Sequence, residues 1–353
     1  MVIGIDIGTY SVKIIGMVKD DNGYTIQKSG CKPIFENIQT YNPEKIASSN
    51  LVATIQDLSK ELNINPKKIK TVVSSISGKN VSIKQISTLE MSGDELTASL
   101  EFEAKKHIAL DGTEAVLDYH LLGSDPNELD KTNVLLVALT KKLVNQHDKI
   151  IRDSGYKPTI FDADPIALTN CYLNQKTLPK DGADVIINIG TASTTLIIWG
   201  EKSKYFTREL SIAGHHFTQS AVKSRKINYQ DAEELKFRIG VESSQSNSEG
   251  SQKNISSEIK MEEQTIYMSL IDELRKTLRY YMKSNSQSFF NNFFITGGST
   301  NLPGLINFIN NQLKIELQIL NPLKNINNNT EINNASQFTT AIGLAIRGFE
   351  ISR

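Results

Sequence analysis

The chain is 353 residues long, more than one hydrophobic core usually organises, so two or more lobes are expected. Its 39 Lys and Arg are cancelled by 39 Asp and Glu with no basic block of five or more, which gives no compositional support to charge-driven capture of nucleic acid or anionic lipid. Apolar runs such as "NVLLVAL" stop at about seven residues, against the roughly 20 that cross a bilayer, and the opening run carries Asp6, which does not suit a secretory signal. A cytoplasmic protein without a membrane span of its own is expected. Cys31 and Cys171 fit no metal or redox spacing and read as small core-filling thiols in a reducing compartment.

In chain order, "IGIDIGTYSVKI" (3–14) reads as strand, turn, strand. Asn22-Gly23 and Asn65-Pro66 then punctuate a helix over about 43–62 and a β-rich "IKTVVSSIS". Residues 78–155 form a βαββα pattern. It has a strand over 81–86, a helix after "SGDE" with Ser92 as cap and Glu95 three residues on, strands at "AVLDYHLLG" and "NVLLVALT", and a helix over 141–153 closed by Gly155. "KPTIFDADPIALTNCYL" runs from strand into helix, and "ADVIINIGTASTTLIIWG" is a hairpin that restarts the opening theme. The expected division is a first lobe of 1–77 and 156–183, an insertion of 78–155, and a second lobe of 184–353 with a smaller subdomain over about 215–285. Seven serines in the eighteen residues 240–257 suggest a mobile surface loop, and the Asn-rich stretch 325–336 reads as another loop without a site of its own.

The chemistry centres on the two hairpins. An Asp-x-Gly-Thr turn between strands presents backbone N–H groups to an anion and makes a phosphate cradle. Asp6 would hold a hydrated Mg²⁺ through water, and Lys13 would return along the second strand to a phosphate oxygen. An ordinary β-turn reads the same way in isolation. Two such hairpins facing each other could grip both sides of a polyphosphate. The second offers Gly190, Thr191 and Ser193, but Asn188 replaces the Asp, so it lacks the negative charge for a metal shell. In "DAEELKFRIG" Glu233 and Lys236 share a helix face that could meet a ribose and a base edge, or could simply be solvated. "FFITGGSTNLPGL" runs a strand into a Gly297-Gly298-Ser299 turn before a helix begun by Pro303, suited to the nucleotide or to plain connection. Gly214 is expected to line a phosphate or sugar, whereas His215-His216 lacks a third ligand for zinc. "FTTAIGLAIRGF" reads as a core helix with small, tightly packing faces. Neither a P-loop nor a Gly-x-Gly-x-x-Gly fingerprint occurs.

In this order "DIGTYSVK", "FDADPIALTN", "INIGTASTT", "AEELK", "ITGGSTNLPGL" and "AIGLAIRGF" resemble the nucleotide-binding motifs of the actin, Hsp70 and sugar-kinase superfamily. Within it the chain is similar, over nearly its whole length, to the PilM family of type IV pilus assembly proteins, relatives of the cell-division protein FtsA. "EFEAKKHIALDGTEAVLDYHLLG", "VLLVALTKKLV", "SGYKPTIFDADPIAL", "YFTREL" and "NPLKNI" carry that similarity.

The resemblance implies an α/β, actin-like (ribonuclease H-like) duplicated fold: two lobes around a cleft for ATP and Mg²⁺, with the βαββα insertion typical of FtsA and PilM. It places Asp6, Gly8, Thr9, Tyr10, Ser11 and Lys13 on the first phosphate motif and Asn188, Gly190, Thr191 and Ser193 on the second. Glu233, Lys236, Gly297, Gly298 and Ser299 fall on the adenosine site, with Gly214 beside it. Asp164 matches the acidic residue that orients the attacking water in active relatives, or makes an interlobe contact only, and Asn188 in place of Asp argues against fast turnover. The implied partners are the amino-terminal tail of the inner-membrane protein PilN, in a groove between the first lobe and the insertion, and pilus motor components. Membrane association would come through the partner, and homo-oligomers are compatible. Rival readings are an FtsA-like division protein, a type II secretion scaffold, and a genuine ATPase or phosphotransferase. Against the FtsA reading, too little chain follows Phe349 for an amphipathic membrane helix.

Overall fold

The opening strand alternates in a way that sets the whole first half. In the computed structural model, which describes residues 1–77, 81–91, 93–104, 114–125, 128–241 and 255–350 (side chains of the last stretch from 265), Val2–Ile7 is β1. It lies between β2 (Ser11–Asp20), which β3 (Gly23–Pro33) follows after a tight turn, and β4 (Thr71–Ile76), reached through helix α1 (Ser48–Glu61). The helix begins later than the expected residue 43, because the Asn42 side chain takes the Glu44 N–H in a turn around Pro43.

The insertion follows as β5 (Ser82–Leu89), α2 (Gly93–Ala104), β6 (Ala115–Ser124), β7 (Lys131–Thr140) and α3 (Lys141–Asp153). Its antiparallel sheet has the order β5-β7-β6. Leu96 and Leu100 of α2 pack against Val134, Leu136 and Ala138 on one face. The chain returns to the first sheet with β8 (Ile160–Ala163) and α4 (Asp164–Leu173).

The second half comprises β9 (Asp184–Ile189), β10 (Thr194–Gly200), β11 (Ser203–Leu210), α5 (Gly214–Arg225), α6 (Tyr229–Ile239) and α7 (Ile255–Ser284). It ends with β12 (Phe293–Thr296), α8 (Leu305–Leu313), β13 (Leu317–Ile319), β14 (Ile326–Asn328) and α9 (Thr339–Glu350). The sheets are ordered β14-β3-β2-β1-β4-β8 and β11-β10-β9-β12-β13. Helix α8 starts at Leu305, not at Pro303, because Gly304 in the left-handed region turns the chain first. Ser92, expected as a cap, and residues 242–254 of the serine-rich stretch lie outside the described residues.

Two features depart from the expected division. The strand β14, inside the Asn-rich stretch read as a plain loop, pairs in parallel with β3 of the first sheet. Helix α9 also belongs there, packing Ala341, Ile342 and Ala345 with Ile15 and Met17. A boundary at 184 therefore does not hold to the end of the chain. Cys171 is buried as expected, but Cys31 is exposed.

Alternation along the central strands then positions the site. Ile3 and Ile5 pack beneath α1 and α3 with Ile55, Leu58 and Ile151, so Val2, Gly4 and Asp6 point to the other face. There Gly4 is required by close approach: a Cβ would lie 2.3 Å from the Ala341 carbonyl. Asp6 consequently emerges beside the start of α4. In the second sheet Val185, Ile187 and Ile189 pack with α5, α7 and α8, while Ile186 joins Leu168 and Tyr172 of α4, so Asn188 emerges on the α4 side too. Helices α4 and α9 thus lie between the sheets, meeting where a Cβ on Gly343 would sit 1.8 Å from the Ala167 carbonyl. Among the described residues no helix is long and apolar enough to cross a membrane.

Candidate functional site

The two hairpins fold alike position by position. Register pairs Asp6 with Lys13 in the first and Asn188 with Thr195 in the second. The same bond closes each tip: Gly8 N–H donates to the Ser11 carbonyl at 3.2 Å, and Gly190 N–H to the Ser193 carbonyl at 3.0 Å. Both tips, with Thr9, Tyr10 and Thr191, line a single cavity of about 280 Å³ between the halves of the molecule.

Charge is distributed unequally across that cavity. Lys13 Nζ lies 3.4 Å from the Asp6 carboxylate and 3.4 Å from the Ser11 carbonyl, whereas the matching pair on the other side is uncharged. Asp164, at the first position of α4, accepts the Ser75 hydroxyl at 2.5 Å. Burial, and then the neighbouring Asp6, push its carboxyl up to about 7, since two close carboxylates cannot both ionise cheaply in a sheltered site.

The second tip is pinned from behind. The Gly190 carbonyl accepts the Gly214 N–H at 3.1 Å and the Ser299 hydroxyl at 2.9 Å, and the Thr191 carbonyl accepts the His215 N–H at 2.8 Å. Gly214, expected to line a phosphate or sugar, lies in the cavity wall, and its amide donates to the hairpin. Gly297 turns at φ +96°, where its N–H donates to the Ser336 carbonyl at 3.2 Å, and Gly298 and Ser299 follow it along the wall.

Glu233 and Lys236 also reach the cavity, 2.7 Å apart. The ammonium is already committed, however, donating to Thr218 Oγ1 at 2.9 Å and the Gly214 carbonyl at 3.4 Å as well. The Thr218 hydroxyl donates to the same Glu233 carboxylate. Burial lowers the Lys236 pKa, with Glu233 opposing. The Lys236 ammonium, expected with Glu233 to meet a ligand, thus ties α6 to α5.

Sequence reasoning missed Thr195, Glu209, Phe237, Asn301, Asn334 and Gln337, which also line the cavity. Thr195 was within reach, because it occupies the place of Lys13 in the repeated hairpin. Asn334 and Gln337 lie in or beside the Asn-rich stretch, whose polar composition concealed them.

Beside the cavity, aromatic rings from the two halves of the chain meet. Tyr41, from the segment before α1, has its ring centroid 5.6 Å from His215 and 5.7 Å from Tyr229 of the second half, and 5.4 Å from Tyr10. Burial, and next Glu233, push the Tyr10 hydroxyl up to about 12. His215 Nδ1 lies 2.9 Å from the Tyr229 hydroxyl, and burial pulls its pKa down to about 4, so the imidazole is neutral near pH 7. Among the described residues no group of three or more His, Cys, Asp or Glu could hold a metal directly.

A second, larger cavity of about 650 Å³ opens between the insertion and the first sheet. It lies between β6 and β8, each the outermost strand of its sheet, and Val116, Leu122, Phe161, Ile166, Leu173 and Trp199 make it largely apolar.

Comparison with known proteins agrees with this architecture. The solved PilM-PilN type IV pilus biogenesis complex contains a chain similar to this one with a TM-score of 0.81 at 21% identity, covering 98% of each chain. The ethanolamine utilization protein EutJ of Carboxydothermus hydrogenoformans aligns with a TM-score of 0.55 at 11% identity over 98% of this chain and 88% of its own. MreB5 of Spiroplasma citri, bound to ADP, aligns at 0.53 and 12% identity over 99% and 96%. These likenesses establish the actin-like, two-lobed α/β fold. The family model of the type IV pilus assembly protein PilM matches residues 4–349, and the chain belongs to that family.

Proposed function

We propose that the chain is a nucleotide-binding scaffold of type IV pilus assembly, with ATP and Mg²⁺ in the cleft between the hairpins and the amino-terminal tail of PilN in the groove between β6 and β8. The observation that carries the nucleotide reading is the pair of congruent glycine tips opening into one cavity. Structures of the same fold bound to ADP and to AMPPNP support it.

The residues fit such a ligand. At Gly8 an added Cβ would meet the Ser11 carbonyl at 3.0 Å and Lys13 Nζ at 3.1 Å, so only glycine leaves the cradle open. Amides and hydroxyls of Thr9, Ser11, Thr191 and Ser193 would donate to phosphate oxygens, with Lys13 as counter-charge. Phe237, partly exposed in the cavity wall, offers an aromatic face to the base, and Gly297, Gly298 and Ser299 leave room beneath the sugar. Bound Mg²⁺ would neutralise phosphate charge; Asp6 suits an outer-sphere role, because this ion keeps several of its waters and needs no preformed protein cage.

Asp164, whose carboxyl burial and the neighbouring Asp6 push upward, could hold a water for phosphate attack, which is the feature favouring a genuine ATPase. Asn188 weighs against rapid turnover, so slow hydrolysis at most accompanies a binding role. In this reading the tail of an inner-membrane partner holds the chain at the membrane, and the scaffold, alone or as a homo-oligomer, connects motor components to it.

Calorimetric titration with Mg-ATP, then with a synthetic PilN amino-terminal peptide, tests the proposal. Stoichiometric binding of both without steady phosphate release supports the scaffold. No nucleotide binding, or sustained release with a small acceptor, overturns it.

A further inference from the structure

The groove between β6 and β8 is mostly apolar, but Asp118, Asp162, Asn170, Arg347 and Glu350 also line it. Among the described residues four buried side-chain polar atoms have no hydrogen-bond partner, and two of them, Asp162 Oδ2 and Asn170 Nδ2, belong to residues lining this groove. A buried acceptor with no donor is costly and rare. The other Asp162 oxygen accepts the Ala163 N–H at 2.8 Å, which fixes the carboxylate in place. Burial is the main cause that pushes this carboxyl up to about 6, with Arg347 opposing and Glu350 and Asp118 adding to it. Of these, Arg347 is already bound to Glu350 at 2.6 Å. Asp162, Asp118 and Glu350 against Arg347 leave the groove around Asp162 with a surplus of negative charge.

Resting on the reading of this groove as the site of the PilN tail, we propose that Asp162 is its specificity-determining residue: Oδ2 receives a lysine or arginine side chain of the docked segment, whose apolar neighbours fill the groove. Asn170 Nδ2, close by on α4, donates to a carbonyl of the same segment. The complementarity is chemical: an oily groove holding a fixed carboxylate whose second oxygen has no partner suits an apolar peptide with one cation. A wholly apolar or acidic one would leave the carboxylate bare.

The test uses the full chain and a synthetic peptide of the PilN amino terminus. Trp199, the single tryptophan of the chain, lines the groove, so its fluorescence reports occupancy independently of Asp162. Asp162→Asn keeps the bond from Ala163 and removes the charge. It should weaken the peptide about tenfold or more, as expected for loss of a charge-assisted hydrogen bond. Replacing the cationic residue of the peptide by methionine should weaken binding to the unaltered chain as much, and should cost nothing further against Asp162→Asn. Since the peptide variants leave the protein untouched, a folding defect cannot produce that pattern. If Trp199 responds but neither substitution changes affinity, or if the bound segment contains no Lys or Arg, the role of Asp162 is overturned while the groove assignment stands. If calorimetry detects binding and Trp199 stays silent, the groove assignment itself is wrong.

Discussion

Gly297 and Gly298 are adjacent, both line the cleft, and an added methyl group should affect them in opposite ways. At Gly297 the backbone sits at φ +96° and ψ 166°, a region left to glycine, where other residues pay about 1–3 kcal/mol. A Cβ there would also lie 2.5 Å from Asn188 Oδ1 and 2.5 Å from the Ile189 carbonyl, an overlap costing a further 1–3 kcal/mol or so. Gly297→Ala should therefore destabilise the protein by about 2–6 kcal/mol, lowering Tm by roughly 4–12 °C. At Gly298 the nearest atom to a new methyl is Gln337 Cβ at 4.0 Å. Gly298→Ala should leave stability within about 0.5 kcal/mol while the methyl intrudes on the nucleotide site. Chemical denaturation and Mg-ATP titration on both variants separate the effects. Equal destabilisation by both, or a Gly297→Ala variant as stable as the parent, would refute the steric argument. Full nucleotide affinity in Gly298→Ala would remove this turn from the site.

Four further outcomes are expected. Lys13→Ala should weaken Mg-ATP about tenfold or more in calorimetry, because a charge-assisted contact is lost. Asn188→Asp, which restores an acid opposite Asp6, should steepen the Mg²⁺ dependence of binding more than it changes affinity at saturating metal. The raised Asp164 carboxyl binds a proton in the folded chain between its ordinary unfolded value near 4 and about 7. Asp164 should thus make folded stability fall as pH rises through that window; Asp164→Asn should remove that contribution to the slope and raise stability at pH 8 by up to a few kcal/mol, measured by denaturation across pH. Tyr41→Ala removes the ring that joins the first half to His215 and Tyr229 of the second, and should speed release of a fluorescent ATP analogue in stopped flow, with stability lowered less than by Gly297→Ala.

The parts of the site legible in the sequence are those built from one continuous stretch. Each glycine tip is a local turn between apolar strands, so its residue types announce it, and the repeat from Asp6–Lys13 to Asn188–Thr195 carries over even the register. What was hidden depends on contacts between distant segments. Glu209 reaches the cavity through the pairing of β10 with β11, and Asn334 and Gln337 through the carbonyl of Ser336 that holds Gly297. Polar composition cannot reveal that an Asn-rich stretch supplies an edge strand to the opposite sheet. The second groove is formed by two outer strands more than one element apart in the chain, and alternation within β6 alone gives no hint of its other wall. Lys236 was read to the correct face of α6, but its ammonium follows the carboxylate and hydroxyl already waiting on α5 and α6.

The most direct measurement is a crystal structure with Mg²⁺ and a non-hydrolysable ATP analogue. One triphosphate should lie between the lobes, its oxygens within hydrogen-bonding reach of backbone amides from both the Gly8–Ser11 and the Gly190–Ser193 turns. A nucleotide held by one turn alone, or bound elsewhere on the surface, would contradict it.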